Sequence, residues 1–194
     1  MDLGKQVNTA GAFTLIDDLF IFMVGPNQNG DLCVVRLGGH RENDETPIEC
    51  LEREMKEEAS ITVTPVNSPI TYHIEEWGEE PKFIEQNFKE DISPVNIKGK
   101  ENGALSLLYF AYADKEPIPN SETHGILFLK QADIDLICKE LITIDDFLKS
   151  GGKAIFQKEI RKDVILKPGV HLSFLSMLNK RHPDIIDRFI KRKL

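Results

Sequence analysis

The stretch that decides the fold is GGHRENDETPIECLEREMKEEASI, residues 38–61. Its second half begins like a helix, because Thr46 can cap, Pro47 suits the first helical position, and Glu49 completes a T-x-x-E capping box. Apolar residues then recur at spacings of three and four, which predicts one stripe buried against a sheet. They are Ile48, Leu51, Met55 and Ala59. We therefore predict a loop followed by an amphipathic helix.

A second face of this helix carries three carboxylates. Glu54, Glu57 and Glu58 stand at i, i+3 and i+4, so their side chains are neighbours. Like-charge pairs at these spacings destabilise a helix by ~0.2–0.5 kcal/mol each unless a cation neutralises them. Mg²⁺ typically binds through a few carboxylates together with waters and substrate phosphates. The spacing predicts a site for a hard divalent cation, and the alternative is a solvated acidic face of the kind that many helices have.

A longer pattern surrounds these carboxylates. The chain fits G-x5-E-x7-R-E-U-x-E-E-x-G-U, where U is a bulky aliphatic residue, at every position except the second glycine. The matching residues are Gly39, Glu45, Arg53, Glu54, Met55, Glu57, Glu58 and Ile61. With average residue usage, such a joint match is expected on the order of once in 10⁸ starting positions. Residues 39–61 thus resemble the Nudix box, and the chain resembles the Nudix hydrolase superfamily of MutT-like proteins.

The resemblance implies functional roles for the matching acidic positions. Glu54, Glu57 and Glu58 match the family's metal-binding and catalytic glutamates. A backbone carbonyl of Gly38 or Gly39 matches a further metal ligand. The implied cofactor is Mg²⁺ or Mn²⁺.

Other positions of the box imply structural roles. Glu45 and Arg53 match a pair whose salt bridge holds the loop against the helix, and a planar guanidinium can hold a carboxylate by two hydrogen bonds. Gly38 and Gly39 suit a backbone that approaches a metal or phosphate closely. Ser60 departs from the family pattern, which has a glycine there to end the helix. A non-glycine residue in the left-handed conformation costs ~1–2 kcal/mol, which leaves the shape of this helix exit open.

The segments outside the box predict a sheet. Residues 11–16 and 19–24 flank Asp17-Asp18, which signals a hairpin with a two-residue turn. Residues 32–37 read as a strand that delivers the chain to the glycine pair. Further strands are predicted at 61–66, 70–74, 104–113 and 126–129. From the resemblance we expect an α/β fold, a Nudix-type α/β/α sandwich with a mixed β-sheet and extra C-terminal helices.

Two regions of the chain fall outside this core. Residues 75–103 read as a long insertion loop, with a short helix within residues 81–91, and connections of this length are more often functional or mobile than idle. Residues 132–194 read as a helical C-terminal extension. In it Thr143 and Asp146 form a second capping box.

Several residues are candidates for substrate binding. Trp77, Phe83 and Phe88 could stack on a nucleobase, which is worth ~1–3 kcal/mol per base, or they could anchor the loop to the core. Arg36 and His40 flank the glycine pair and are candidates for contact with phosphates.

The loop between strands 104–113 and 126–129 is a further candidate region. Nudix proteins often place another acidic residue there, which binds metal or orients water. Glu122 is the nearest match and Glu116 the second. An exposed loop glutamate without a catalytic role is the alternative for either residue.

Length and composition limit the class of protein. The chain has 194 residues, 41% of them hydrophobic, which predicts one globular domain over residues 1–194. Its net charge of −8 argues against binding of large nucleic acids. The three cysteines form no C-x-x-C pair, and reduced thiols of a cytoplasmic protein are their simplest interpretation. No apolar run is long enough to span a membrane, and no signal peptide is apparent.

The resemblance implies a pyrophosphohydrolase. We expect metal-dependent hydrolysis of a diphosphate bond in a nucleoside diphosphate linked to another group, giving a nucleoside monophosphate and the phosphorylated remainder. A homodimer is possible, since dimers are common in the family. The first alternative is a catalytically silent Nudix domain that binds a nucleotide or a protein partner. The second is an acidic helix that only mediates association.

Overall fold

The computed structural model describes residues 6–27, 29–86, 88, 91–100, 102–120 and 123–194. These residues form twelve strands and five helices. The strands are β1 (Val7–Ile16), β2 (Leu19–Pro26), β3 (Leu32–Val35), β4 (Leu37–His40), β5 (Val63–Val66), β6 (Thr71–Ile74), β7 (Lys82–Ile84), β8 (Asn96–Lys98), β9 (Leu105–Ala113), β10 (Gly125–Leu129), β11 (Lys153–Phe156) and β12 (Leu166–Pro168). The helices are α1 (Pro47–Ala59), α2 (Gln131–Lys139), α3 (Ile144–Lys149), α4 (Val170–Arg181) and α5 (Pro183–Ile190). Within these ranges, no helix combines the length and apolar character needed to cross a bilayer.

The strands form one mixed sheet in the order β11-β10-β2-β1-β9-β8-β6-β7. At its centre β1 and β9 run parallel, with Leu15 opposite Tyr112. Both neighbours of β2 on this path, β1 and β10, are antiparallel to it. Off the path, β3 pairs with β2 and β12, β4 pairs with β1, and β5 pairs with β9.

Helices cover both faces of the sheet. Successive side chains of a strand point to opposite faces, and in β9 Leu107 and Tyr109 pack in the cluster that contains α1. The alternate residues of β9, Leu108 and Phe110, pack in the second cluster. This cluster contains buried residues of α2 to α5. The predicted α/β/α sandwich with a mixed sheet is therefore confirmed.

Most predicted elements near the site are present. The β1–β2 hairpin turns at Asp17, which has a φ of 52°, and Thr14 lies opposite Ile21. Helix α3 is capped by Thr143, whose hydroxyl accepts a hydrogen bond from the Asp146 amide at 3.1 Å. These elements depend on local signals, which explains why the sequence predicts them.

The strand predicted at residues 32–37 is two strands that break at Arg36. β3 pairs with β2, whereas β4 crosses to pair with β1, where Gly38 lies opposite Gly11. Gly38 has a φ of 120°, and a Cβ atom there would collide with the Ala10 carbonyl oxygen and the Gly11 Cα atom. The glycine pair thus lies inside a strand, and the change of partner strand depends on it.

Three sequence predictions are corrected by the structure. Residues 81–91 contain β7 and no described helical residue, because β7 pairs with β6. The insertion at residues 75–103 is not all loop, since it contributes β7 and β8 to the sheet. The extension at residues 132–194 is not wholly helical, because β11 pairs with β10 and β12 pairs with β3. Each missed strand pairs with a partner that local sequence patterns do not reveal.

Candidate active site

Helix α1 positions the acidic residues. Its start has the predicted capping box: the Glu49 amide donates to the Thr46 hydroxyl at 3.2 Å, and the Thr46 amide donates to the Glu49 carboxylate at 2.7 Å. Leu51 and Met55 are fully buried against the sheet. Because this apolar stripe faces the core, the carboxylates on the neighbouring face of the helix lie at the protein surface.

The three predicted glutamates of α1 line one cavity of about 690 Å³, here called the acidic cavity. Its lining residues are Met23, Glu42, Glu54, Glu57, Glu58, Asn120 and Thr123. The Glu54 side chain is 14% exposed and the Glu57 side chain 58% exposed. Four carboxylates thus line one cavity, an arrangement that attracts cations.

Arg53 links the carboxylates of the loop and the helix. Its Nε and Nη2 atoms donate to the two Glu45 oxygens at 2.8 and 3.2 Å, which is the predicted ion pair. Its Nη1 atom donates to Glu54 at 3.0 Å and to Glu57 at 2.8 Å, and Nη2 also donates to the His40 carbonyl at 2.6 Å. The hydrogen bond to Glu45, ahead of those to Glu54 and Glu57, raises the pKa of Arg53 further above its usual range.

The glycine pair lies directly beneath the helix carboxylates. The Gly38 amide donates to the Glu58 carboxylate at 2.6 Å. A Cβ atom at Gly39 would touch the Glu54 carboxylate. The Gly39 carbonyl oxygen accepts a weak hydrogen bond from the Cys50 thiol at 3.7 Å. Strand β4 therefore brings backbone groups into contact range of two of the three glutamates.

The loop between β9 and β10 is bound to the C-terminal end of α1. The last carbonyls of a helix have no partner inside the helix, and here this loop supplies donors. The side-chain amide of Asn120 donates to the Glu57 carbonyl at 2.6 Å, and the Thr123 hydroxyl donates to the Glu58 carbonyl at 2.9 Å. The Ile118 amide donates to the Ala59 carbonyl at 2.8 Å. These bonds place Asn120 and Thr123 in the wall of the acidic cavity.

The donor atoms of the acidic cavity suit Mg²⁺ or Mn²⁺. Carboxylate and backbone carbonyl oxygens are the ligands that hard divalent cations prefer. As the side chains of the described residues stand, no three acidic, histidine or cysteine groups lie close enough together to hold an ion. The Nη1 atom of Arg53 bridges Glu54 and Glu57. The chemistry of the donors fits a divalent cation.

Arg36 is a buried residue rather than an exposed phosphate ligand. It is 8% exposed, and its Nη1 atom donates to the Leu37 carbonyl at 3.0 Å. Its Nε atom donates to His171 of α4 at 3.3 Å. Burial lowers the pKa of Arg36, while the charge of Glu58 acts in the opposite direction. The candidate role of Arg36 in direct substrate contact is therefore not supported by its position.

The aromatic candidates do not line the acidic cavity. Trp77 packs edge-on against His171, with ring centroids 4.9 Å apart, and also contacts Phe174. It lines a different cavity, of about 360 Å³, here called the Trp77 cavity. Among the described residues, the Trp77 cavity and the acidic cavity have no lining residue in common. Phe83 is 60% exposed and touches Tyr72 edge-on. Trp77 thus anchors its segment to the core, which is one of the two roles its sequence position predicted.

The remaining candidates have mixed positions. His40 is exposed, and its backbone carbonyl rather than its side chain contacts Arg53. Glu116 forms an ion pair with Lys153 at 2.6 Å and is not part of the cavity lining. Glu122 lies outside the described residues, so its role stays a prediction.

Four residues in the wall of the acidic cavity were not predicted from the sequence. Glu42 stands between two box positions, and its charge is a signal that could have identified it. Asn120 and Thr123 belong to a polar loop whose contact with α1 has no sequence signature. Met23 is an apolar residue within a strand, and only the sheet topology places it beside the carboxylates.

Helix α1 ends in the conformation that its sequence disfavours. Ser60 has φ 56° and ψ 32°, which is left-handed, and its amide donates to the Lys56 carbonyl at 3.0 Å. The Ile61 amide donates to the Met55 carbonyl at 3.3 Å. The helix exit therefore keeps the left-handed turn without the glycine.

Solved structures of several hydrolases resemble this architecture. A hydrolase of the NUDIX family from Clostridium perfringens is 20% identical over 75% of this chain and 94% of its own, with a TM-score of 0.49. A MutT protein from Bacillus halodurans is 18% identical over 66% of this chain and 70% of its own, with a TM-score of 0.39. A UDP-X diphosphatase is 12% identical over 64% of this chain and 51% of its own, with a TM-score of 0.42.

Sequence comparisons add no closer relative. No family model matches the chain, and no curated protein matches its sequence. One of the three structures above carries the NUDIX name, and a second is called a MutT protein. The features of this chain that bear on its function are the carboxylates of α1 and the acidic cavity.

Proposed function

We propose that this protein is a Nudix-type pyrophosphohydrolase that cleaves the diphosphate bond of a nucleoside diphosphate linked to another group. The observation that carries the proposal is the convergence of Glu54, Glu57 and Glu58 on one cavity, above the glycine pair. Three mutually repelling carboxylates on one helix face cost stability. A function that uses their combined charge explains why they lie together.

In the proposed reaction the protein holds a diphosphate beside these carboxylates. Glu54, Glu57 and Glu58, with the Gly39 carbonyl, would hold Mg²⁺ or Mn²⁺, which supplies neutralisation of the phosphate oxygens. A water oxygen forms a bond to one phosphorus atom, and the bond from that phosphorus to the bridging oxygen breaks. The leaving phosphate keeps the electron pair, and the proton of the water passes to a carboxylate. Glu54 and Glu122 are the candidates for this base.

The orientation of the carboxylates depends on fixed neighbours. Arg53 holds Glu54 and Glu57 through Nη1, and the Gly38 amide holds one oxygen of Glu58. Held groups lose less entropy when they meet substrate, which favours a productive geometry. In this proposal Arg53 and Gly38 are positioning residues, and Glu45 in turn keeps Arg53 in place.

The test is hydrolysis of a panel of nucleotide substrates with Mg²⁺ or Mn²⁺, in wild-type protein and in the Glu57→Gln variant. We expect metal-dependent turnover of at least one compound and a loss of about 100-fold in the variant, equal to ~2.7 kcal/mol of transition-state stabilisation. Glu52→Gln is the matched control, because Glu52 lies on the same helix but outside the cavity lining. Equal activity of all three proteins would contradict the proposal.

A binding protein without hydrolase activity is the second candidate. The observation in its favour is that Arg53 already neutralises part of the charge of Glu54 and Glu57. In that case the panel would show saturable nucleotide binding and no product. The same experiment therefore separates the two candidates.

We also propose a cytoplasmic location. The described cysteines Cys33, Cys50 and Cys138 are free thiols, which suits a reducing compartment. Localisation of a tagged full-length chain tests this proposal, and export from the cytoplasm would contradict it.

A further inference from the structure

A second cavity adjoins the acidic cavity. It has a volume of about 290 Å³ and lies between the end of β2, strand β3 and the residues that lead into β10. Met23 and Thr123 line both cavities, so the two spaces share a wall. We call the second space the Met23 cavity. The acidic cavity and the Met23 cavity therefore meet at these two residues.

The walls of the Met23 cavity differ from those of its acidic neighbour. Met23, Pro26 and Val35 contribute apolar surface, and none of the described residues in its lining is acidic. Its polar groups are few and include the side chains of Asn27, Thr123 and His124. A mostly apolar pocket with a small number of polar groups is the usual composition of a site for an organic ring system.

Gly25 of β2 and His124 lie side by side in the lining of this cavity. A Cβ atom at Gly25 would stand 3.2 Å from Nδ1 of His124, so the imidazole lies close against the backbone of β2. The Met23 sulfur atom is close to the Thr123 hydroxyl, at 3.7 Å, and methionine makes favourable contacts with aromatic rings. A planar ring with a polar edge matches these walls. A sugar would leave several hydroxyl groups against apolar surface without partners, which is costly.

We propose that the Met23 cavity binds the nucleobase of the substrate. This inference rests on the proposed function, in which the diphosphate lies in the acidic cavity. It assigns base recognition to Met23, Val35 and His124, and it removes that role from Trp77 and Phe83. The Trp77 cavity is the competing site, and it contains Met177 in its lining.

Methionine methyl groups can distinguish the two cavities. Met23 borders the Met23 cavity, Met177 borders the Trp77 cavity, and Met55 is a buried residue of α1. The protein is labelled with ¹³C-methyl methionine and titrated with adenosine, guanosine, cytidine and uridine. These probes carry no phosphate, so their binding requires neither metal nor catalysis. We expect at least one nucleoside to shift the Met23 methyl signal in a saturable manner while the Met55 and Met177 signals stay in place.

Two variants at one position refine the test. Cys33 lines the Met23 cavity from β3 and is not in the lining of the acidic cavity. Cys33→Trp should fill the space and weaken nucleoside binding by at least about tenfold, whereas the matched variant Cys33→Ser should bind like wild type. In the hydrolysis assay Cys33→Trp should raise KM for the nucleotide substrate more than Cys33→Ser does.

The outcomes of this experiment separate the two proposals. A nucleoside-induced shift of Met177 alone, or no shift of Met23 with any nucleoside, would overturn the base site even if the enzyme is active. A saturable Met23 shift in a protein that hydrolyses nothing would keep the base site and reject the hydrolase. Because the wild-type titration is decisive by itself, a failure of Cys33→Trp to fold does not affect the test.

Discussion

Gly39 lies so close to Glu54 that a Cβ atom on residue 39 would touch the Glu54 carboxylate. Its neighbour Gly38 is constrained differently, by a φ of 120° and by the backbone of Ala10 and Gly11. The two glycines therefore serve different purposes. Gly38 is required by the path of β4, and Gly39 is required by the position of a carboxylate in the cavity.

Alanine substitutions should separate these two purposes. In Gly39→Ala the flexible end of Glu54 can move aside, so we expect the free energy of unfolding to change by less than ~0.5 kcal/mol. Hydrolysis should fall by about 10- to 100-fold, because a displaced carboxylate no longer fits the transition state. In Gly38→Ala the clash is with backbone, and unfolding should become at least ~2 kcal/mol easier. Urea unfolding measures the stability of each variant, and kcat/KM measures its hydrolysis. A fully active Gly39→Ala would contradict the role of Gly39 in placing the Glu54 carboxylate.

His171 should make stability depend on pH. Burial, followed by the charge of Arg36, lowers the pKa of His171 to about 3, whereas an unfolded histidine has a pKa near 6.5. Between these values the unfolded chain binds a proton that the folded chain does not. The stabilisation is therefore complete above pH ~6.5 and decreases as the pH falls, by up to ~1.4 kcal/mol per pH unit.

The measurement is urea unfolding at pH 7 and pH 5. From pH 7 to pH 5 the free energy of unfolding of the wild type should decrease by about 2 kcal/mol more than that of His171→Leu. His40→Gln changes an exposed position, and its free energy of unfolding should decrease as much as that of the wild type. An equal loss in wild type and His171→Leu would show that His171 is accessible to protons in the folded state.

Ser60 carries backbone strain that glycine would relieve. Its φ of 56° is unfavourable for a residue with a Cβ atom. Ser60→Gly should raise the free energy of unfolding by about 0.5–1 kcal/mol, after the larger entropy of glycine in the unfolded chain is subtracted. Ser60→Ala keeps the Cβ atom, so its free energy of unfolding, measured by chemical denaturation, should not rise. A stabilised alanine variant would assign the effect to the hydroxyl instead.

The Thr123 hydroxyl should hold the β9–β10 loop on α1. It is buried and donates to the Glu58 carbonyl at 2.9 Å. Thr123→Val keeps the shape and removes the donor, so unfolding should become about 1–2 kcal/mol easier. Amide hydrogen exchange at Asn120 and Thr123 should also become faster. Thr123→Ser retains the hydroxyl, so its free energy of unfolding should decrease less than that of Thr123→Val. A larger decrease in Thr123→Ser would contradict this role.

Parts of the candidate site that depend on local sequence were predictable. The capping box at Thr46, the apolar stripe of α1 and the spacing of Glu54, Glu57 and Glu58 are properties of one helix, whose geometry is known in advance. The Glu45–Arg53 ion pair spans a short loop, and the motif implied it. Both are present.

Other parts of the site depend on contacts between distant segments. Arg36 and His171 are 135 residues apart in sequence, and their hydrogen bond makes Arg36 an interior residue. Met23 and Thr123 are 100 residues apart, and their proximity forms the wall between the two cavities. No local periodicity contains such pairings, because they arise from the order of strands in the sheet.

The sequence by itself determined the acidic helix and the spacing of its carboxylates, since capping, amphipathicity and residue spacing act within a few residues. The resemblance of residues 39–61 to a known family implied the α/β class. Only the tertiary structure decided that Gly38 and Gly39 lie in a strand, that Trp77 faces the core, and that an apolar cavity adjoins the carboxylates. The physical reason is that burial and strand pairing are selected by the packing of the whole chain. A residue's function in this protein therefore follows from its type and from the segment that folding places beside it.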